Sequence, residues 1–255
     1  MNWNASNYLR YGAQRTRAAV DLLARINVQR PERIVDLGCG PGNSTELLWQ
    51  RWPESKVIGI DSSQAMIDAA KDAFPDRNWL LGDVGSWQPS EPFDVIYSNA
   101  ALQWLPNHRA LIKKLFSFVA LGGALAFQIP SSTYATVRKL IVDISHQRRW
   151  TEQLAKPRSM LTMESPQVYY DTLVDSAAGL DLWETEYMHV LDSKSAIVDW
   201  IASTGLRPYL EALDSDSERT DFTNELQRRV NQAYDEQADG RVLFPFRRTF
   251  VIAYR

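Results

Sequence analysis

Ile34-Val35-Asp36-Leu37-Gly38-Cys39-Gly40-Pro41-Gly42-Asn43-Ser44-Thr45 decides how the rest of the chain is read. An apolar run leads into an acid, and glycines then fall at every second position. A polar residue next opens a helical pattern through Glu46, Leu47, Leu48 and Gln50. The apolar run fits a strand buried in a parallel sheet. Glycine permits positive φ and close approach of the backbone to a ligand. Asn43 or Ser44 is placed to cap the helix. The stretch predicts a strand, a tight loop and a helix N-terminus, the arrangement at which open α/β sheets bind ligands.

The glycine spacing narrows the ligand. A dinucleotide fingerprint counted from Gly38 needs glycine at 43, where Asn43 stands, and a phosphate loop needs a lysine that does not follow. An acid ahead of the glycines suits a ligand with an ammonium group better than a pyrophosphate. Val57-Ile58-Gly59-Ile60 reads as a second buried strand, ending at Asp61, whose carboxylate can accept from a ribose diol. Trp79-Leu80-Leu81-Gly82 is a third apolar run, ending at Asp83 and Val84. Taken singly, each acid fits a turn or a helix cap. Three at successive strand ends behind the glycine loop resemble motif I and the following acids of the Rossmann-like methyltransferases that use S-adenosylmethionine (SAM). The resemblance implies SAM as cofactor, with S-adenosylhomocysteine (SAH) as product. It points to Asp36, Gly38, Gly40, Asn43, Asp61, Ser62, Met66, Asp83, Val84 and Asn99 as the cofactor-binding residues, with Asp83 accepting from the adenine amino group.

Around this stretch the 255 residues are ordinary for a soluble globular chain, with 45% apolar and 23% charged residues and a net charge of −3. No basic block suggests nucleic acid. One cysteine excludes an internal disulfide framework and fits a reducing compartment. Neither a leader pattern nor an 18-residue apolar run is present, so a cytoplasmic protein off the membrane is expected. Asn4-Ala5-Ser6 and Asn43-Ser44-Thr45 match a glycosylation pattern that has no consequence there.

Taken in order, residues 1–30 form an aromatic and basic start followed by a helix with Ala18, Ala19, Leu22, Leu23 and Ile26 on one side. The start (Trp3, Tyr8, Arg10, Tyr11, Arg15) reads either as a loosely packed terminus or as a lid over the cofactor. Residues 31–130 alternate strand and helix. Ser62 and Ser63 are placed to cap one helix and Asn107 another; Gly122-Gly123 is expected to stop the latter, with a fifth strand over 124–129. Residues 131–240 read as a helix over 134–153, a second over 169–178, a strand over 182–190, and helices around Ile197 to Ile201 and Phe222 to Val230. Residues 241–255 give a final strand, with Pro245 near an edge or irregularity. The expected fold is a single α/β domain: a Rossmann-like, doubly wound, mostly parallel seven-stranded sheet with helical cap insertions.

Longer stretches narrow the resemblance. Asp36 to Thr45, Ile60-Asp61-Ser62-Ser63, Asn99-Ala100-Ala101-Leu102-Gln103-Trp104-Leu105-Pro106 and Thr204-Gly205-Leu206-Arg207-Pro208 are together similar to the trans-aconitate methyltransferases, as are the opening through Tyr8 and the closing 245–253. Residues 131–165 carry no such match. The resemblance implies methyl transfer from SAM to one carboxylate of trans-aconitate. The alternatives are a methyltransferase for another small acceptor, a nicotinamide-dependent oxidoreductase and a non-catalytic SAM sensor; Asn43 and Asp83 speak against the oxidoreductase. A carboxylate is ionised at neutral pH, so no catalytic acid or base is assigned. A tricarboxylate calls for cations, and arginine forks suit carboxylates. The substrate-binding candidates are Tyr8, Arg10, Trp104, Arg207 and Arg248. Arg207 also reads as a surface arginine or helix cap, and Arg248 as an edge-strand arginine facing water. His108 reads as a first-turn surface residue. His146 and His189 lack metal-ligand spacing, so no metal is assigned. The sequence leaves the oligomeric state open, with a monomer among the options.

Overall fold

A computed structural model describes residues 12–131, 136–202 and 204–255. Its elements in order are α1 (Gly12–Arg25), β1 (Arg33–Leu37), α2 (Asn43–Arg51), β2 (Lys56–Asp61), α3 (Gln64–Ala73), β3 (Asn78–Leu81), β4 (Phe93–Asn99), a 3-10 turn (Leu102–Trp104), α4 (His108–Ser117) and β5 (Val119–Pro130). There follow α5 (Thr136–Ser145), α6 (Ala155–Arg158), α7 (Pro166–Leu173), β6 (Gly179–Leu191), α8 (Lys194–Ala202), α9 (Arg207–Glu211), α10 (Asp216–Ala233) and β7 (Val242–Tyr254).

The seven strands lie in the order β3-β2-β1-β4-β5-β7-β6. The pairs among β1 to β5 are parallel, whereas β7 runs antiparallel to β5. This is the expected Rossmann-like, doubly wound α/β sheet. From β1 the chain winds outward to β2 and β3, then crosses back to place β4 on the other side of β1. The order reverses between β1 and β4, and the crevice at such a switch point is where these sheets take ligands.

Two compact units divide the chain. One comprises Met1–Ser131, Thr162–Glu184 and Arg248–Arg255; the other comprises Ser132–Leu161 and Thr185–Arg247. The expected 131–240 block is therefore shared, with 162–184 in the first unit and 132–161 and 185–240 in the second, which also takes 241–247 of the expected final-strand segment. In the first unit, strand alternation sends Val35, Leu37 and Ile96 into a core with Leu111, Leu115, Tyr169 and Leu173 of α4 and α7. On the opposite face the Tyr97 hydroxyl donates to the Ala19 carbonyl of α1 at 2.9 Å. The second unit is built around α10, whose Phe222, Leu226 and Val230 are fully buried, with Trp150 4.9 Å from Phe222 ring to ring. Ser215 and Glu218 form a reciprocal capping box at the start of α10.

Several local expectations are corrected. Gly42, at φ 93, is the N-cap of α2 in place of Asn43 or Ser44, and Ser63 and Asn107 occupy cap positions without a side-chain bond. The Gly122-Gly123 pair does not stop α4, which ends at Ser117. It lies inside β5, where Gly122 at φ 79 accommodates an irregularity against Phe93 and Val95. The 134–153 helix begins at Thr136 and ends at Ser145, and Tyr134 lies outside the described residues. Arg158 holds that end by donating to the carbonyls of Ser145 and Thr151, each at 2.8 Å. Pro245 falls ahead of the stretch of β7 that pairs with β5, so its missing N–H costs that ladder nothing.

Candidate functional site

The glycine loop is fastened from beneath. The N–H groups of Gly38 and Cys39 donate to the Ile60 carbonyl at 2.8 and 3.0 Å, and Gly40 N–H donates to Asp61 Oδ2 at 2.9 Å. Asp61 Oδ1 accepts from Ser63 N–H at 2.9 Å, so this carboxylate ties the loop of β1 to the start of α3. Burial raises its pKa. A carboxylate has about four acceptor positions, so two hydroxyls can still be held. Asp83 is held alike, by Gly85 N–H at 3.0 Å and Ser86 Oγ at 3.1 Å.

Above the loop opens a cleft of about 240 Å³ at the β1/β4 switch point. Gly38, Gly40, Asp61, Ser62, Met66, Asp83, Val84, Asn99 and Trp104, all candidates from the sequence, line it. Asp36 and Asn43 do not. Asn43 is the first residue of α2, and Asp36 lies wholly buried, its Oδ2 accepting from Ser44 Oγ and Thr45 Oγ1, each at 2.7 Å. Burial pushes the Asp36 carboxyl up to about 6 against the pull of those two hydroxyls. Its Oδ1 and the Oδ1 of Asn99 are buried acceptors without a hydrogen-bond partner among the described residues.

Sequence reasoning missed much of one wall. Pro41, Ala100, Ala101, Leu102 and Leu105 also line the cleft. Ala100 sits at φ 55, a conformation L residues seldom adopt, and nothing in its identity announces it. A Cβ on Gly38 would come within 2.1 Å of Ala101 Cβ, so the loop and this wall are in direct apposition. His108, expected on the surface, is buried at 1% exposure between Tyr169 and Leu102. Cys39 is buried and free, and burial raises its thiol pKa far from the reactive range. Among the described residues no group of histidine, cysteine and acid side chains could hold a metal, and no helix is long and apolar enough to cross a membrane.

Comparison with known proteins places this geometry. A family model described as a methyltransferase domain matches residues 8–184. The trans-aconitate 2-methyltransferase of Azoarcus sp. is 42% identical over 99% of both chains, and that of Variovorax paradoxus is 41% identical over 100% of this chain and 99% of its own. The chain belongs to the trans-aconitate 2-methyltransferase family. Among solved structures, YcgJ of Bacillus subtilis shares the fold with a TM-score of 0.60 at 13% identity, over 94% of this chain and 98% of its own.

Of the substrate residues expected for a trans-aconitate 2-methyltransferase, Tyr8 and Arg10 lie outside the described residues. Trp104 is on the cleft wall. Arg248 is not the water-facing arginine of the alternative reading: it is 6% exposed and its Nη1 donates to Gln128 Oε1 at 3.3 Å. Sequence reasoning passed over Gln128, although a glutamine inside the apolar run 124–129 was a signal. Arg207 belongs to the second unit, where its Nε donates to Glu211 Oε1 at 2.6 Å on the same helix.

Proposed function

We infer that this chain transfers the methyl group of SAM to one carboxylate of trans-aconitate, giving a monomethyl ester and SAH. The full-length relationship to trans-aconitate 2-methyltransferases, at 42% identity to one of them, carries the choice of acceptor. The cleft suits the cofactor. Its two carboxylates stand at the ends of β2 and β3, glycines leave room after β1, and the orphaned acceptor of Asn99 on the lining, with the Asp36 carboxylate behind it, suits an ammonium group.

SAM, when bound, supplies a methyl group on a sulfonium, which the acceptor carboxylate takes up as SAH is left. In this reading Asp61 holds a ribose diol, Asp83 with Val84 and Met66 holds the adenine, Ser62 lines the approach, and Gly38, Gly40 and Asn99 hold the amino-acid end. Asn43 and Asp36 act from behind the wall, Asn43 by opening α2 and Asp36 by setting the charge beneath the loop. No side chain has to move a proton, because the acceptor is already ionised. The protein's contribution is alignment and exclusion of water, for which Trp104 and its neighbours form a largely apolar wall.

Among the proposed cations, Arg248 belongs to the same unit as the cleft. Gln128 presses on it, and Gln128 Nε2 is a fully buried donor without a hydrogen-bond partner among the described residues. A charged fork beside a spare amide donor is what a carboxylate requires. Tyr8, Arg10 and Arg207 complete the set of substrate candidates. The same reading makes the protein cytoplasmic and active on a small tricarboxylate, with no nucleic-acid partner; a net charge of −3 and a single cysteine support it.

Labelled SAM offered with trans-aconitate, cis-aconitate and citrate tests the assignment. Strong preference for the trans acid is expected. Transfer to phenols or amines but to none of these acids would overturn the acceptor and leave the cofactor standing.

A further inference from the structure

The cleft wall at residues 100–105 opens on a strained residue, and it is clamped from behind by a polar chain that no role described so far requires. Ala100 holds φ 55. Its N–H donates to the Gln128 carbonyl at 2.9 Å, and its carbonyl accepts from Gln103 Nε2 at 2.6 Å. Leu102, Trp104 and Leu105 follow on the wall. Strained backbone of this kind persists only where its surroundings over-determine it.

Those surroundings are buried. His108 Nε2 lies 2.9 Å from the Leu102 carbonyl and His108 Nδ1 lies 2.6 Å from Tyr169 Oη. A carbonyl only accepts, so Nε2 carries the hydrogen and, in the neutral ring, Nδ1 is the acceptor. The Tyr169 hydroxyl must then donate to Nδ1, which leaves its oxygen to accept from Glu164 N–H at 3.4 Å. Every hydrogen has one place, from Glu164 N–H through Tyr169 and His108 to the carbonyl of Leu102. A second tie runs beside it, from Thr162 N–H to the Gln103 carbonyl at 2.8 Å. Phe127 fixes the Tyr169 ring edge to face at 5.2 Å. Burial disfavours charge on either member, lowering the pKa of His108 and raising that of Tyr169.

Sheet order says what the clamped wall faces. Asp61 and Asp83 close β2 and β3 on one side of β1; the wall follows β4, on the other side. With nucleoside on the acids, as the cofactor reading has it, the wall at β4 flanks the end that carries the methyl group. We propose that His108 and Tyr169 are positioning residues that hold residues 100–105 in the shape methyl transfer needs. The inference rests on that cofactor reading.

Three variants test it: Tyr169→Phe, His108→Gln and His108→Ala. Tyr169→Phe removes one hydroxyl and is expected to lower kcat about ten-fold. The affinity for SAH should stay within about two-fold, since the acids of β2 and β3 are untouched. Glutamine at 108 can place an amide N–H where Nε2 stands, so His108→Gln should retain more kcat than His108→Ala. Amide hydrogen exchange at 101–105, followed in the SAH complex, should quicken in Tyr169→Phe and His108→Ala. This arm needs no acceptor, so an inactive wild type with quickened exchange would overturn the acceptor and keep the clamp. Wild-type kcat and exchange in Tyr169→Phe would overturn the clamp. So would a lowered Tm with unchanged kcat per folded molecule, or equal loss of kcat and SAH affinity.

Discussion

Asp36 bears a cost that the fold accepts. Its ordinary pKa is 3.8, and burial carries it to about 6. Below the lower value the group is protonated whether the chain is folded or not, and contributes nothing to pH dependence. Between the two it is ionised in the unfolded chain and still protonated in the fold, so stability falls as pH rises through this window. Above pH 6 the full penalty stands, about 3 kcal/mol at 1.36 kcal/mol per unit. Asp36→Asn keeps the contacts of Ser44 and Thr45 and removes the charge. It should raise the unfolding free energy at pH 7 by up to about 3 kcal/mol, with the gain vanishing near pH 4 in urea titrations at both pH values. A function repays such a penalty, and SAH affinity should correspondingly rise with pH through 6 in the wild type and lose that rise in the variant. Asp61→Ala should weaken SAH binding by roughly 1.5–3 kcal/mol, the scale for hydrogen bonds to a charged group. Because Asp61 also receives Gly40 N–H, the loss will exceed that of Asp61→Asn, which leaves one acceptor oxygen. At Arg248, substitution by alanine should raise KM for the acid and leave SAH affinity near the wild type; equal loss of both would make it a strut of the sheet. Arg207→Ala should do the same, and the same outcome would overturn it.

At the scale of elements, the glycine loop was legible because its constraint is local: positive φ at Gly38, Gly40 and Gly42 needs glycine and writes itself into the sequence. The reason for the glycines was only half legible. A Cβ on Gly42 would meet the Trp79 ring at 2.6 Å, and one on Gly59 would meet it at 2.4 Å. The indole of β3 therefore lies over both, a contact that spans 37 residues of sequence from Gly42 and has no periodic signature. Gly59→Ala should displace Trp79 and cost roughly 1–3 kcal/mol, the usual penalty for overpacking. Its check is a lower urea midpoint together with a shift in tryptophan emission. The cap residues were misassigned for a related reason: Ser44 looks like a cap in sequence, but the buried Asp36 carboxylate engages its hydroxyl instead. His108 was misplaced because its partner, Tyr169, is 61 residues away, so burial could not be read from its neighbours.

For the whole molecule, alternating apolar runs and helical stripes disclosed the Rossmann-like sheet, because each β-α unit is built from near neighbours. The two units were not disclosed, because each is assembled from separated pieces of chain. Neither is a continuous segment that could be cut out. Residues 248–255 supply Phe250, Val251, Ile252 and Ala253, all fully buried, to β7, the strand that pairs with β5. A chain ending at Arg247 should accordingly show no cooperative unfolding transition by calorimetry, whereas a Tm near that of the full chain would show that β5 can close the sheet alone.

The position of β7 also sets a timetable for translation. In sequence β6 comes before β7, but in the sheet β7 stands between β5 and β6. A growing chain that has emerged as far as Leu191 holds two strands, β5 and β6, that are sheet neighbours of a third not yet synthesised. The intervening residues, from Asp192 to Arg241, must be made before that third strand exists. Throughout this interval the β5 edge is a template on which β6 can pair out of order, and a ribosome that pauses in 192–241 prolongs the exposure.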